Sequence, residues 1–349
     1  MQKKLVSVGI ALVSLLVPLP VRAANFLNEI TGIYAFGDSL TDTGNLFSAI
    51  GQPPPPYFPG RISNGYNWLD YLSQGLGLSS PTPFFSGLPA NDGFNFAFTG
   101  ATTGFANVLD VPFFPGLQQQ IGAFVAPLQA GNQLADPNAL YILWAGGNDY
   151  LPTDSLTFTP IKQAEPAIAN ITDAISALAS VGAKNILTVN LPDLGSTPRV
   201  LGRDLTFPLS PDDPTPGELT ALVNAHNTQL SSALTGLRKS LAPDINLMTY
   251  DVNSLFDSVL SNPSSFGFTN KTDSCLFVAA CVFDPTGQTQ QQYVFWDGIH
   301  PTTKAHEIIA QGALTALREQ ESIPEPSATV GLVALGFLAI ATARFRTQN

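Results

Sequence analysis

Short, largely apolar runs recur at Ile33–Phe36, Phe94–Ala97, Leu140–Trp144, Asn185–Asn190 and Asn246–Asp251, with helical patterns between them. Runs this short and this apolar suit strands covered on both faces, the condition of a parallel sheet. The helical patterns are Asn67–Leu76, Pro160–Val181, Glu218–Leu241 and a closing Thr302–Glu319. Ile161, Ala164, Ile168, Ile171, Ile175 and Leu178 recur at helical spacing in the second, as do Leu222, Leu230, Leu234 and Leu237 in the third. Such alternation predicts an α/β fold, a doubly wound three-layer α/β/α sandwich with a mainly parallel central sheet of about five strands. Apolar residues make up 44% of the 349, enough for one large core. Residues 24–320 read as one domain without internal repeats.

Open sheets of this kind place their sites in loops beyond the carboxyl ends of the strands. Gly37-Asp38-Ser39 follows the first run, Thr99-Gly100 the second and Gly146-Gly147-Asn148-Asp149 the third. Near the other end stands Trp296-Asp297-Gly298-Ile299-His300-Pro301. Acyl transfer needs a nucleophile, a base, a group that orients the base, and donors for an oxyanion. Ser39, His300 and Asp297 can fill the first three roles. The Ser39 and Gly100 amides and the Asn148 side chain can fill the fourth. Each piece alone has a plainer reading. Ser39 could cap a helix, Asp297 could cap its own turn with His300 as a solvated neighbour, and Gly-Gly-Asn-Asp could be an ordinary turn. Taken together, all of them fall at strand ends or in the loop before the closing helix.

Scarcity excludes other chemistry. The three histidines are His226, His300 and His306, and the first and last fall on helical patterns, at surfaces or interfaces. Too few ligands accompany His300 to complete a metal shell. Two cysteines, Cys275 and Cys281, are too few for a structural metal site and suit a local disulfide in an oxidising compartment. With 26 acidic against 15 basic residues and a net charge of -11, the chain has no basic surface to engage nucleic acid.

Both ends carry addresses. Lys3 and Lys4 precede an apolar run from Leu5 to Leu19, and Val21-Arg22-Ala23 supplies small residues for a signal peptidase. Residues 1–23 therefore read as a secretory signal peptide, with a membrane anchor as the alternative. Pro324-Glu325-Pro326 is followed by an apolar run, Ala328 to Ala343, then Arg344 and Arg346. As a transmembrane helix it would span about 24 Å against a hydrocarbon core of about 30 Å, a marginal anchor. The tripartite order resembles the PEP-CTERM sorting signal of Gram-negative bacteria, which implies processing of the 321–349 tail by an exosortase-type enzyme. The expected location is the cell surface or beyond.

The internal motifs resemble those of the GDSL lipase/esterase family, in the SGNH hydrolase superfamily. Gly37-Asp38-Ser39-Leu40 with Thr41-Asp42-Thr43-Gly44-Asn45 resembles its first block, and Asn95-Phe96-Ala97-Phe98-Thr99-Gly100-Ala101 its second. Gly146-Gly147-Asn148-Asp149 is similar to the third, Leu191–Pro198 to the fourth and Asp297–Thr302 to the fifth. Gly60-Arg61-Ile62-Ser63-Asn64-Gly65 is similar to a segment of the plant-like and bacterial branch. Thr99 departs from the small residue of many relatives, which bears on the loop presenting Gly100. The resemblance implies a flavodoxin-like sandwich and an exported serine esterase or lipase that forms an acyl-Ser39 intermediate without cofactor or metal. Ser39 would be the nucleophile, His300 the base and Asp297 its orienter; the Ser39 and Gly100 amides and Asn148 would form the oxyanion hole. Lipids, short acyl esters, thioesters and acetylated polysaccharide are all admissible substrates. A polysaccharide O-deacetylase using the same site and a non-catalytic surface protein on the same fold are the alternatives. Tyr57, Phe58, Phe84, Phe85 and Phe207 lie in loops that could form an apolar pocket or simply pack.

Overall fold

Six parallel strands build the central sheet, in the order β2-β3-β1-β4-β5-β6. They are β1 (Ile33–Gly37), β2 (Thr82–Pro83), β3 (Gly93–Asn95), β4 (Leu140–Trp144), β5 (Asn185–Val189) and β6 (Asn246–Tyr250). Two short strands, β7 (Asn270–Ser274) and β8 (Tyr293–Phe295), pair separately. This computed structural model describes residues 26–321 apart from residue 205, and Leu27–Gln320 form one compact unit. The expected signal peptide, and the sorting tail with its apolar helix, lie outside the described residues. Among the described residues no helix is long and apolar enough to cross a membrane.

The helices are α1 (Phe26–Glu29), α2 (Asn45–Ile50), α3 (Trp68–Gly75), α4 (Leu117–Ala130), α5 (Gly147–Tyr150), α6 (Glu165–Ser180), α7 (Pro216–Ser240), α8 (Val252–Ser261), α9 (Ala279–Val282) and α10 (Thr303–Glu321). Strand side chains alternate between two faces, and both faces are covered. Tyr141 and Leu143 of β4 join a core with Leu117 and Phe124 of α4, Ile171 and Ile175 of α6, and Leu230 and Leu234 of α7. On the other face Trp144 meets Trp68 of α3 edge-on at 5.1 Å. Tyr250 of β6 donates to the Ile309 carbonyl of α10 at 3.0 Å. Sequence-local caps start the helices: Asn67 and Asp70 form a capping box on α3, and Thr215 and Glu218 another on α7 with Pro216 in its first turn.

The α/β sandwich stands, with a sixth strand that the apolar pattern does not reveal. That strand, β2, is two residues long and contains Pro83, which only an edge position tolerates. The second run ends early as a strand because the Asn95 side chain takes the Ala97 amide at 2.9 Å. The helix expected from Pro160 begins at Glu165, because the Ile161 amide bonds the Asp149 carbonyl instead. Helix α4 escapes the pattern because it opens on Leu-Gln-Gln-Gln and carries Pro127.

The chain crosses the sheet between β1 and β4, and this reversal opens the crevice where such folds bind ligands. Behind the turn that follows β1, buried polar groups hold the backbone in place. Asp42 Oδ1 accepts from the Gly44 and Asn45 amides, and Oδ2 from the Leu46 amide and from both the amide and hydroxyl of Thr99. This carboxylate starts α2 and ties the segment after β1 to the segment after β3. Thr99 thus has a defined role as a double donor to this carboxylate. Asp42→Ala would leave several buried donors unmet, a cost of about 3 kcal/mol. Asp42→Asn should also destabilise, because its amide group would face N–H donors. Urea denaturation midpoints check both, and a wild-type midpoint for Asp42→Ala refutes the assignment.

Candidate active site

The end of β1 is held by two contacts. Gly37 has φ +155, and a Cβ there would stand 2.1 Å from the Trp144 carbonyl oxygen of β4; only glycine permits that approach. Gln120 of α4 accepts from the Gly37 amide and donates to its carbonyl, both at 2.8 Å. The backbone then turns, with the Asp38 carbonyl accepting from Thr41 and Asp42 amides at 3.1 and 2.9 Å. Ser39 emerges at this turn, 8% exposed.

His300 approaches from the other end of the chain. A tight loop after β8 carries it, closed by the Trp296 amide donating to the His300 carbonyl at 2.8 Å. Within the loop Asp297 Oδ1 accepts from the Ile299 and His300 amides at 2.9 and 2.8 Å. His300 Nδ1 lies 2.9 and 2.8 Å from the two Asp297 oxygens, and Nε2 lies 2.8 Å from Ser39 Oγ. A carboxylate can only accept, so Nδ1 carries the proton and Nε2 is the acceptor facing the hydroxyl. Burial alone would raise the Asp297 carboxyl; the imidazole beside it and the converging donors hold it down to about 2. Asp297 is therefore ionised across the neutral range.

Gly100 and Asn148 complete the cluster. Gly100 has φ +81, and a Cβ would stand 2.6 Å from Asn107 Oδ1 and 2.9 Å from Leu109 Cγ, so the position requires glycine. Asn148 Nδ2 donates to the Ala101 carbonyl at 3.0 Å. Next to it, Asp149 accepts from the Thr103 amide and hydroxyl at 2.9 and 2.7 Å. These bonds lock the loop after β3 to the turn after β4. Among the described residues, the Ser39 and Gly100 amides donate to no protein acceptor.

The other two histidines take the interface rather than the surface option: both are buried. His226 Nδ1 and the Tyr150 hydroxyl share a hydrogen bond of 2.8 Å, and a Gly146 Cβ position would stand 3.3 Å from the imidazole, so His226 supports the Gly-Gly-Asn-Asp turn. Burial pushes it down to about 4 and His306 to about 3, the latter with help from His300; both are neutral at pH 7. Cys275 and Cys281 form a disulfide, with Cα atoms 5.4 Å apart. It packs in a buried cluster with Trp296, the residue before Asp297.

A narrow, largely apolar crevice opens beside Ser39 and His300, walled by Leu40, Trp144, Leu151, Leu194, Phe256, Phe295 and Ile299. Its aromatic walls come from strand ends and α8 rather than from the loop aromatics. Phe58 lies against Tyr66, Phe84 against Phe96, Phe85 against Phe98, and Phe207 beneath the Arg199 guanidinium. Those side chains pack their own loops. Gln120 carries no motif, because a supporting role leaves no spacing signature, and the Gly-Gly-Asn-Asp motif does not by itself reveal the bond from Asp149 to Thr103.

A family model described as GDSL-like Lipase/Acylhydrolase matches residues 33–313. The chain belongs to this family. The GDSL match encloses both the Ser39 turn and the His300 loop. Among relatives, the phosphatidylcholine-sterol acyltransferase of Aeromonas hydrophila is 28% identical, over 87% of this chain and 95% of that protein. A GDSL esterase/lipase of Arabidopsis thaliana is 30% identical, covering 84% and 85%. The thermolabile hemolysin of Vibrio parahaemolyticus is 26% identical; the match covers 82% of this chain and 64% of that protein. Membership of the GDSL family supports an ester-hydrolysing function.

Asp38 of the GDSL turn gives the site a pH signature. Burial raises its carboxyl from 3.8 to about 7, against the pull of the Leu40 amide and His300. The folded chain thus holds a proton that the unfolded chain releases near pH 4, so this group costs stability progressively as pH rises toward 7. Asp38→Asn removes that cost. Its melting temperature relative to wild type should be higher at pH 8 than at pH 5; an equal difference at both would contradict it.

Proposed function

We propose that this protein is an exported serine ester hydrolase acting through an acyl-Ser39 intermediate. The observation that carries the reading is the single line from Asp297 through His300 to Ser39, with Nε2 2.8 Å from Oγ. Ser39 Oγ attacks the ester carbonyl carbon while its proton passes to His300 Nε2. The imidazolium, stabilised by ionised Asp297, then returns that proton to the departing alkoxide. Water deacylates the serine by the same steps. The oxyanion would be met by the Ser39 and Gly100 amides and by Asn148. One Asn148 N–H is occupied by Ala101, which orients the amide and leaves the second N–H for the oxyanion.

The apolar crevice beside Ser39 suits an acyl chain rather than a sugar. Acyl transfer, the reaction in the Aeromonas relative's name, uses the same covalent step with an alcohol in place of water. Export rests on the signal-peptide pattern and the PEP-CTERM-like tail, and the Cys275–Cys281 disulfide suits an oxidising compartment.

Three measurements test this. Ser39→Ala should abolish turnover of nitrophenyl esters without lowering the melting temperature, and residual wild-type turnover would overturn the mechanism. Asn148→Ala should cost on the order of 100-fold in turnover, and a loss of about threefold, well below that scale, would remove it from the oxyanion hole. Among nitrophenyl acetate, butyrate, octanoate and palmitate, butyrate or octanoate should be turned over best. Turnover confined to acetate would shift the reading to an O-deacetylase.

A further inference from the structure

The Asp297 carboxylate has a donor that the triad does not include. Tyr57 Oη donates to Asp297 Oδ2 at 2.9 Å, across 240 residues of sequence. Among the described residues every other donor to this carboxylate, the Ile299 and His300 amides and His300 Nδ1, comes from its own turn. Those bonds fix the carboxylate within the loop. They do not fix the loop relative to Ser39. Among the described residues, the Tyr57 phenol is the donor that reaches the carboxylate from the segment following β1, the segment that carries Ser39.

The surroundings of Tyr57 suit that task. Its ring meets Trp296 edge-on at 6.0 Å and packs on the cluster of Trp296, Cys275 and Cys281. Burial and the neighbouring Asp297 charge both raise its phenol, so it stays protonated and remains a donor. Pro53-Pro54-Pro55-Pro56 precedes it, with Pro54, Pro55 and Pro56 exposed. Prolines restrict backbone freedom, so less entropy is lost when the phenol is aimed. The same segment is clamped nearby, where Ser63 Oγ donates to the Pro301 carbonyl at 2.8 Å and Asn64 Oδ1 accepts from the Thr303 amide at 2.8 Å.

We propose that Tyr57 is a positioning residue for ester hydrolysis, holding the Asp297 carboxylate, and through it the His300 imidazole, in register with Ser39. This rests on the serine-hydrolase reading above. The hydroxyl acts on the reaction and the ring acts on the fold, so the two can be separated.

The test uses the full chain and an activated nitrophenyl ester. Tyr57→Phe keeps the ring against Trp296 and removes only the hydroxyl. It should lower kcat about tenfold, the scale of one hydrogen bond to a charged group, with KM and melting temperature near wild type. In an Asp297→Ala background the same change should cost nothing further, because the phenol has lost its target. Equal losses in both backgrounds, or a loss explained by a lowered melting temperature, would overturn the proposal. So would a Tyr57→Phe enzyme with wild-type kcat while Ser39→Ala is inactive, and that result would leave the serine-hydrolase reading intact. Turnover surviving in Ser39→Ala would instead defeat the reading on which the inference rests.

Discussion

The end of β1 decides where everything else in this site must stand. Gly37 presses against the Trp144 carbonyl, and Gln120 holds both its backbone polar groups from the far side. The backbone can neither continue as strand nor relax sideways, so Ser39 is delivered to one place at the sheet's carboxyl edge. That place coincides with the crossing between β1 and β4, where sheets of this kind open a crevice at their carboxyl ends. The Asn148 turn follows β4, the neighbouring strand in the sheet, and the His300 loop is brought to the same edge.

Around Ser39 the structure uses buried polar groups where an ordinary core would use apolar ones. Asp42 gathers five donors, Asp149 locks Thr103, and Asn95 donates to the Thr41 carbonyl and the Thr43 hydroxyl. Removing one partner from such a pair leaves the other buried and unmet, which makes the geometry stiff. The same burial keeps Asp38 and Asp149 well above ordinary carboxyls while Asp297, faced by an imidazole, lies well below. Three aspartates close to one serine therefore behave differently because of what surrounds them.

Much of this was legible in the sequence. The apolar runs at 33–36, 140–144, 185–190 and 246–251 mark strands because both faces are buried, and buried strands have no polar alternation to disguise them. Ser39, Asp297 and His300 stood out because the chemistry demands those residue types and histidine is scarce. What stayed hidden had a different physical origin. Strand β2 is too short to carry a pattern, and α4 begins in glutamines. Gln120 and Tyr57 act across 83 and 240 residues on atoms that no local motif specifies. The loop aromatics admitted either a pocket or simple packing; they pack, and the wall is made by Trp144, Phe256 and Phe295 at the ends and flanks of the sheet.

The contact between Ser39 and His300 spans 261 residues. Loop-closure entropy over so long a separation opposes its formation until most of the sheet is in place. Among the described residues the histidine belongs to the C-terminal strand-loop-helix segment, so it leaves the ribosome well after Ser39. A chain that has emerged only in part holds Ser39, Gly100 and Asn148 but not His300. On the proposed mechanism ester cleavage would require this closure, and the return of activity on refolding would read the docking of the β8–α10 segment, a long-range closure rather than local order.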